Sequence, residues 1–139
     1  MIGIVDYGMG NLLSVYNAFD YLGSKVKICC NPEELKNVSR IVIPGVGAFK
    51  DCIKKIEISG FKDALNEEVL IKGKPILGIC LGMQILGQAS EEGNQELGLG
   101  FLGGISRKLK TSHQVKVPHV GFNTVKLTKN SKLLKNVDL

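Results

Sequence analysis

Four short apolar runs, at residues 1–5, 25–29, 40–43 and 75–79, are separated by stretches of mixed polarity. By length and composition each run predicts a buried strand. The stretches between them carry helical spacing. Leu12, Val15, Tyr16, Phe19 and Leu22 fall on one face of a helix, and Gly23 stands where a C-terminal cap belongs. Asn31, Pro32, Glu33 and Glu34 form a helix start, with asparagine as cap and acids in the first turn. Residues 48–56 and 60–72 are expected to be helical, the second with an apolar stripe of Phe61, Ala64, Leu65 and Val69. Strands that alternate with helices predict an α/β fold, a mostly parallel sheet flanked by helices on both faces. Ligands of such sheets bind outside the carboxyl ends of the strands. Three glycine-bearing turns, at residues 6–11, 44–47 and 78–82, converge on that edge.

After Ala89 the pattern changes. Glu91, Glu92, Gly93 and Asn94 make a polar loop, and residues 97–104 carry Gly98, Gly100, Gly103 and Gly104. Residues 104–109 and 122–127 read as strands of a short antiparallel extension, and residues 131–137 as a short helix. With no repeat, linker or low-complexity tract, residues 1–139 read as one domain.

The fourth strand delivers Gly78-Ile79-Cys80-Leu81-Gly82 into a helix-like segment that runs through Ala89. This is the pattern of a nucleophile elbow with sulfur in place of the serine oxygen. Glycines on both sides let strand and helix approach closely. The central thiol is left projecting at the strand tip. Backbone N–H groups and the dipole of the helix that starts there favour a thiolate. The Leu81 N–H points toward a developing oxyanion, and the turn at residues 44–47 is placed to supply a second donor. A buried, inert cysteine is the common alternative, but the flanking glycines and the preceding strand argue against it. A cysteine nucleophile also needs a base. There are two histidines: His113 reads as solvated, and His119, between Pro118 and Val120, as structural or interfacial.

Composition narrows the class. Hydrophobic residues make up 44% and charged residues 22%, as in a globular protein. No apolar run has the length of a membrane span. Cys29, Cys30, Cys52 and Cys80 lack metal-site spacing, so no metal or cofactor is expected, and the cysteines suit a reduced, cytoplasmic protein. The net charge of +5 comes from the end of the chain, where eight bases and one acid follow Ser106. No aromatic residue interleaves with those bases, so they read as a solvated face and not as a nucleic-acid surface. Gly8-Met9-Gly10 lacks the third glycine of a dinucleotide fingerprint, because Leu13 stands at that position.

Taken together, residues 6–12, 44–49, 78–84, Glu92 with 98–100, and 116–123 resemble the glutamine amidotransferase subunits of imidazole glycerol phosphate synthases, in that family's order. The resemblance implies a flavodoxin-like, class I amidotransferase fold and a glutaminase half-reaction. Cys80 would form a glutamyl thioester, and the ammonia would pass to a (β/α)8-barrel cyclase of histidine biosynthesis, the other half of a heterodimer. Leu81, Val46 and Gly47 would form the oxyanion hole, and Gly47, Gln84 and Glu92 would hold glutamine. Asn11, Pro118, His119, Phe122 and Asn123 would face the cyclase. Phe122 stands where the family usually has tryptophan. Neither nucleic acid nor membrane is expected as a partner. The family's domain has roughly 200 residues, and its catalytic His and Glu come from a His-Pro-Glu motif that does not follow Asn123 here. The chain alone is therefore expected to be inactive, and to expose an apolar edge that favours self-association. Alternatives are a non-catalytic cyclase-binding homologue, an amidotransferase of a surface-sugar pathway, and a redox or hydrolase protein with a cysteine elbow.

Overall fold

The four apolar runs become four parallel strands, β1 (Ile2–Val5), β2 (Val26–Cys29), β3 (Arg40–Gly45) and β4 (Ile76–Cys80), in the order β2-β1-β3-β4. The computed structural model describes residues 1–93, 95–111, 117–118, 121–122, 124–128, 131 and 133–135. Ile4 pairs with Ile28 on one side and with Val42 on the other, and Val42 pairs with Leu77. The chain moves one way along the sheet from β1 to β2, then the opposite way to β3 and β4. Right-handed crossovers therefore put α1 (Leu12–Tyr21) on one face. They put the 3-10 helix Pro32–Asn37, α2 (Phe49–Ile58) and α3 (Phe61–Leu65) on the other. The direction reverses between β1 and β3, and the turns that leave those two strands flank the reversal.

Helix ends follow their sequence signals. The Asn11 side chain accepts from the Ser14 N–H at 3.3 Å and starts α1. Gly23, at φ +72°, ends it, while the Ser24 N–H reaches back to the Phe19 carbonyl. The apolar side of α1 covers its sheet face only in part. None of its residues is fully buried, Leu22 stays exposed, and an apolar pocket of about 300 Å³ opens between α1 and Ile79. The opposite face holds the core, where Leu35, Ile41, Ile43, Phe49, Ile56 and Phe61 are buried together.

The helix expected over residues 60–72 changes character midway. α3 gives way to a π-helical turn at Asn66–Ile71. The predicted stripe still faces inward, with Phe61 and Leu65 buried and Ala64 and Val69 packed against the core. Glu68 is buried too, with Lys72 at 2.7 Å and Lys74 at 2.6 Å. Lys74 also donates to the Leu35 carbonyl at 2.6 Å, which ties this turn to the 3-10 helix.

Three expectations need correction. β3 does not stop before Pro44; it includes Pro44 and Gly45. A strand residue's N–H and C=O point to the same edge, and β1 no longer borders β3 beyond Val42, so the missing proline N–H costs no ladder bond there. The helix after Cys80, α4 (Leu81–Ile85), is five residues long and does not reach Ala89. The N–H groups of Leu99, Leu102 and Gly100 take the carbonyls of Ile85, Leu86 and Gly87, so the glycine-rich loop caps it early. The second sheet lies earlier than expected and is mixed. In it β5 (Ala89–Ser90) runs antiparallel to β6 (Glu96–Leu97) and parallel to β7 (Ile105–Ser106). The described part of residues 122–127 forms no strand. Leu133–Lys135 is a turn, and the rest of the expected C-terminal helix, except Ser131, lies outside the described residues.

The chain divides into two compact units, Met1–Lys108 and Leu109–Leu139. Every helix and strand given above belongs to the first.

Candidate active site at the elbow after strand four

β4 ends on Cys80 with its backbone at φ +57°, ψ −117°. A side chain in that region is strained by about 1–3 kcal/mol and persists only where its surroundings enforce it. Three glycines enforce it here. A Cβ on Gly82 would lie 1.9 Å from the Ile43 carbonyl oxygen. One on Gly78 would lie 2.5 Å from the Gly82 carbonyl oxygen and the Met83 nitrogen. One on Gly45 would lie 2.6 Å from the Gly82 nitrogen. The end of β3, the end of β4 and the first turn of α4 thus meet backbone to backbone. The Cys80 side chain is left exposed at the tip, while Leu81 points into the core. As the first residue of α4, Leu81 has an N–H with no partner inside the helix.

Register sets Gly45 opposite Cys80, so Val46 and Gly47 continue past the thiol. Val46 is exposed, and Gly47 takes φ +95°. Gln84, half-buried on α4, lines a cavity of about 290 Å³ with Ser90, Glu91, Glu92, Arg107 and Lys108 among its other walls. Its walls carry both signs of charge, and Arg107 Nε stands 3.1 Å from Glu91 Oε1. Cys80 and Gly47 lie outside that lining. The Glu92 carboxylate is engaged by its own fold, accepting from the Phe49 N–H at the start of α2 at 3.3 Å. The Glu92 N–H donates to the buried Ser90 hydroxyl at 3.1 Å.

A buried link not foreseen from the sequence joins the first two turns. The Tyr7 hydroxyl donates to the Pro44 carbonyl at 2.6 Å and accepts from the Cys52 thiol of α2 at 3.2 Å. Burial, reinforced by Cys52, pushes the Tyr7 phenol well above its ordinary range. Burial also raises the Cys52 thiol, and the Tyr7 hydrogen bond partly opposes that rise. Lys55, one turn along α2, donates to the Gly8 carbonyl at 2.9 Å. Tyr7 and Pro44 are 37 residues apart, and the only local sign was an aromatic residue in a turn of small ones.

The remaining site expectations divide between the two units. Asn11 is exposed and caps α1. Pro118 and Phe122 are exposed in the second unit. His113, His119 and Asn123 lie outside the described residues, so no described residue is a histidine. Among the described residues no group of three His, Cys, Asp or Glu side chains is placed to hold a metal, and no helix is long and apolar enough to cross a membrane.

Fold and elbow together define an α/β protein with a cysteine presented at the carboxyl edge of a parallel sheet. The chain belongs to the class-I glutamine amidotransferase family, whose model matches residues 3–138. It is 41% identical over 138 residues to a HisH subunit of imidazole glycerol phosphate synthase from Campylobacter jejuni, covering 99% of this chain and 69% of that one. A HisH subunit from Caldanaerobacter subterraneus is 44% identical over 99% of this chain and 66% of its own. One from Vibrio vulnificus is 41% identical over 95% and 62%. The chain thus spans about two thirds of the length of these relatives. Among solved structures, one described as a glutamine amidotransferase superposes with a TM-score of 0.68 at 21% identity. It covers 82% of this chain and 59% of that one, which supports the flavodoxin-like fold.

Proposed function

We propose that this chain is the glutamine-hydrolysing subunit of an imidazole glycerol phosphate synthase, with Cys80 as its nucleophile. The observation that carries the reading is the exposed thiol at φ +57° in a turn whose glycines admit no side chain. Family membership and the relatives' names supply the substrate, glutamine, and the partner, a cyclase subunit.

In the proposed half-reaction the Cys80 thiolate attacks the side-chain amide carbon of glutamine. The carbonyl oxygen takes the negative charge, and the N–H groups of Leu81 and of the Val46–Gly47 turn receive it. The C–N bond then breaks, the nitrogen takes up a proton and leaves as ammonia, and a glutamyl thioester remains. Water cleaves the thioester to glutamate and restores the thiol. Gly47, Gln84 and Glu92 border the substrate, and the two-signed cavity suits the ammonium and carboxylate of a free amino acid. Ammonia passes to a (β/α)8-barrel cyclase in a cytoplasmic heterodimer, with Asn11, Pro118, His119, Phe122 and Asn123 on the facing side. The net reaction here is a hydrolysis, and lyase chemistry belongs to the partner.

Alkylation tests the reading without relying on turnover. A chloroketone analogue of glutamine should label Cys80 saturably, and free glutamine should protect it. Cys80→Ala should remove the label. Labelling that shows no saturation and no protection by glutamine would defeat the proposal.

A further inference from the structure

The turn proposed to receive the oxyanion is built from residues with little preference of their own. Gly45 and Gly47 are the most permissive residues available, and Val46 between them is exposed. Pro44, which leads into the turn, has no N–H to donate, so its carbonyl is the backbone group by which it can be held. β1 has stopped pairing with β3 at Val42, two residues earlier. The Tyr7 side chain takes over where the ladder ends, its hydroxyl 2.6 Å from the Pro44 oxygen. Because a peptide unit is planar with C=O and N–H opposed, fixing that oxygen also fixes the direction of the Gly45 N–H and the plane from which the turn departs. The phenol is itself oriented from a third element, since the Cys52 thiol donates to its oxygen. All three groups sit in the interior, with Tyr7 4% exposed, Cys52 fully buried and Pro44 buried in β3.

We infer that Tyr7 is a positioning residue for the proposed glutaminase site: its hydroxyl, held by Cys52, aims the Gly45–Gly47 turn so that its amides meet the substrate oxyanion. Tyr7 touches no substrate and acts only through the Pro44 carbonyl. This rests on the glutamine reading above and extends it to a residue outside the elbow. It also assigns a use to Cys52, which packs as an ordinary buried thiol but supplies a donor.

The test uses the full chain and two electrophiles read at Cys80 by peptide mass mapping. The chloroketone analogue of glutamine carries a carbonyl oxygen where the oxyanion forms; iodoacetamide needs no such receptor. In both cases the thiolate supplies the electron pair of a new C–S bond, and chloride or iodide leaves. Tyr7→Phe, which keeps the ring and deletes the hydroxyl, should slow saturated chloroketone labelling about tenfold, a fraction of the loss for a whole oxyanion donor. Half-saturation should stay within about twofold and the iodoacetamide rate should be unchanged. Cys52→Ser keeps a donor and should react as the unaltered chain does, whereas Cys52→Ala should fall between. Equal chloroketone rates in Tyr7→Phe and the unaltered chain would overturn the inference, as would an equal slowing of both reagents, which marks general loosening. If Tyr7→Phe does not fold, Cys52→Ala carries the comparison, and a rate matching the unaltered chain again overturns it. Absence of saturable labelling in the unaltered chain defeats the glutamine reading itself, and the inference falls with it.

Discussion

Cys80 carries two properties that one substitution series separates: an exposed thiol and a strained backbone. Cys80→Ala removes the thiol and keeps the positive φ, whereas Cys80→Gly removes both. Relief of the strain should make the glycine variant the more stable by about 1 kcal/mol, after allowing for glycine's greater freedom when unfolded. Urea midpoints measure this, and an alanine variant as stable as the glycine one would show that the turn is unstrained. Gly82 offers the opposite case. A methyl group there would stand 1.9 Å from the Ile43 carbonyl oxygen, so strand or helix must move apart. Gly82→Ala should cost about 4 kcal/mol or prevent folding, a size reserved for such backbone clashes. Glu68 sets an acid limit far from the elbow. Hydrogen bonds from Lys72 first, then Lys74, hold its carboxyl below the ordinary 4.5. A depressed folded value contributes stability above the unfolded one and loses it as pH falls through the folded one. Glu68→Gln should therefore cost on the order of 1–2 kcal/mol near neutrality, discounted because Lys72 is exposed. That difference should shrink as the pH is lowered through the carboxylate range. A gap in thermal midpoint that stays constant down to about pH 3 would contradict this.

At the scale of elements, α2 begins without a side-chain cap of its own, since its N-cap is Ala48. The Glu92 carboxylate, brought back by the loop after β5, supplies the acceptor at Phe49. Glu92→Ala should lower stability by about 1 kcal/mol, the usual value of a cap, and Glu92→Gln by less than half of that. Denaturant titration of both variants checks it; equal stability of all three forms would show that Glu92 serves substrate alone. Such long-range ties mark the limit of what the sequence discloses. The strands were legible because each is an apolar run bounded by turn residues, and the elbow because its glycines and cysteine fall within five residues. The early end of α4 was not legible, because the groups that cap it lie 13 to 16 residues further on, at Leu99, Gly100 and Leu102. Pro44 suggested a strand end, because nothing local shows that its edge of β3 has lost its neighbour. The π-helical turn keeps the apolar stripe almost unchanged, so periodicity alone could not distinguish it from a regular helix. Tyr7 and Cys52 meet through tertiary packing, and neither looks unusual within its own segment.

For the whole molecule, the division at Lys108 separates two parts of different texture. Met1–Lys108 contains both sheets, every helix named above and the elbow with its neighbouring cavity. Its core closes on itself, from Val5 and Ile43 in the sheet to Phe49, Phe61 and Leu65 in the helices. Leu109–Leu139 has no helix or strand among its described residues. It carries six of the eight late bases, of which Lys110, Lys126 and Lys135 lie among the described residues outside any helix or strand, each a site for trypsin. Proteolysis follows local opening, and backbone outside ladders and helices opens most readily. Brief trypsin treatment should therefore shorten the chain from its end and pause at a product near residues 1–108. Expressed alone, residues 1–108 should unfold in one cooperative step with a urea slope of about 1 kcal/mol/M, because the buried surface that sets that slope lies within this unit. A gradual, probe-dependent transition for that fragment would mean that the later residues complete the core. Saturable Cys80 labelling that survives in the fragment would further assign the glutamine pocket to the first 108 residues alone.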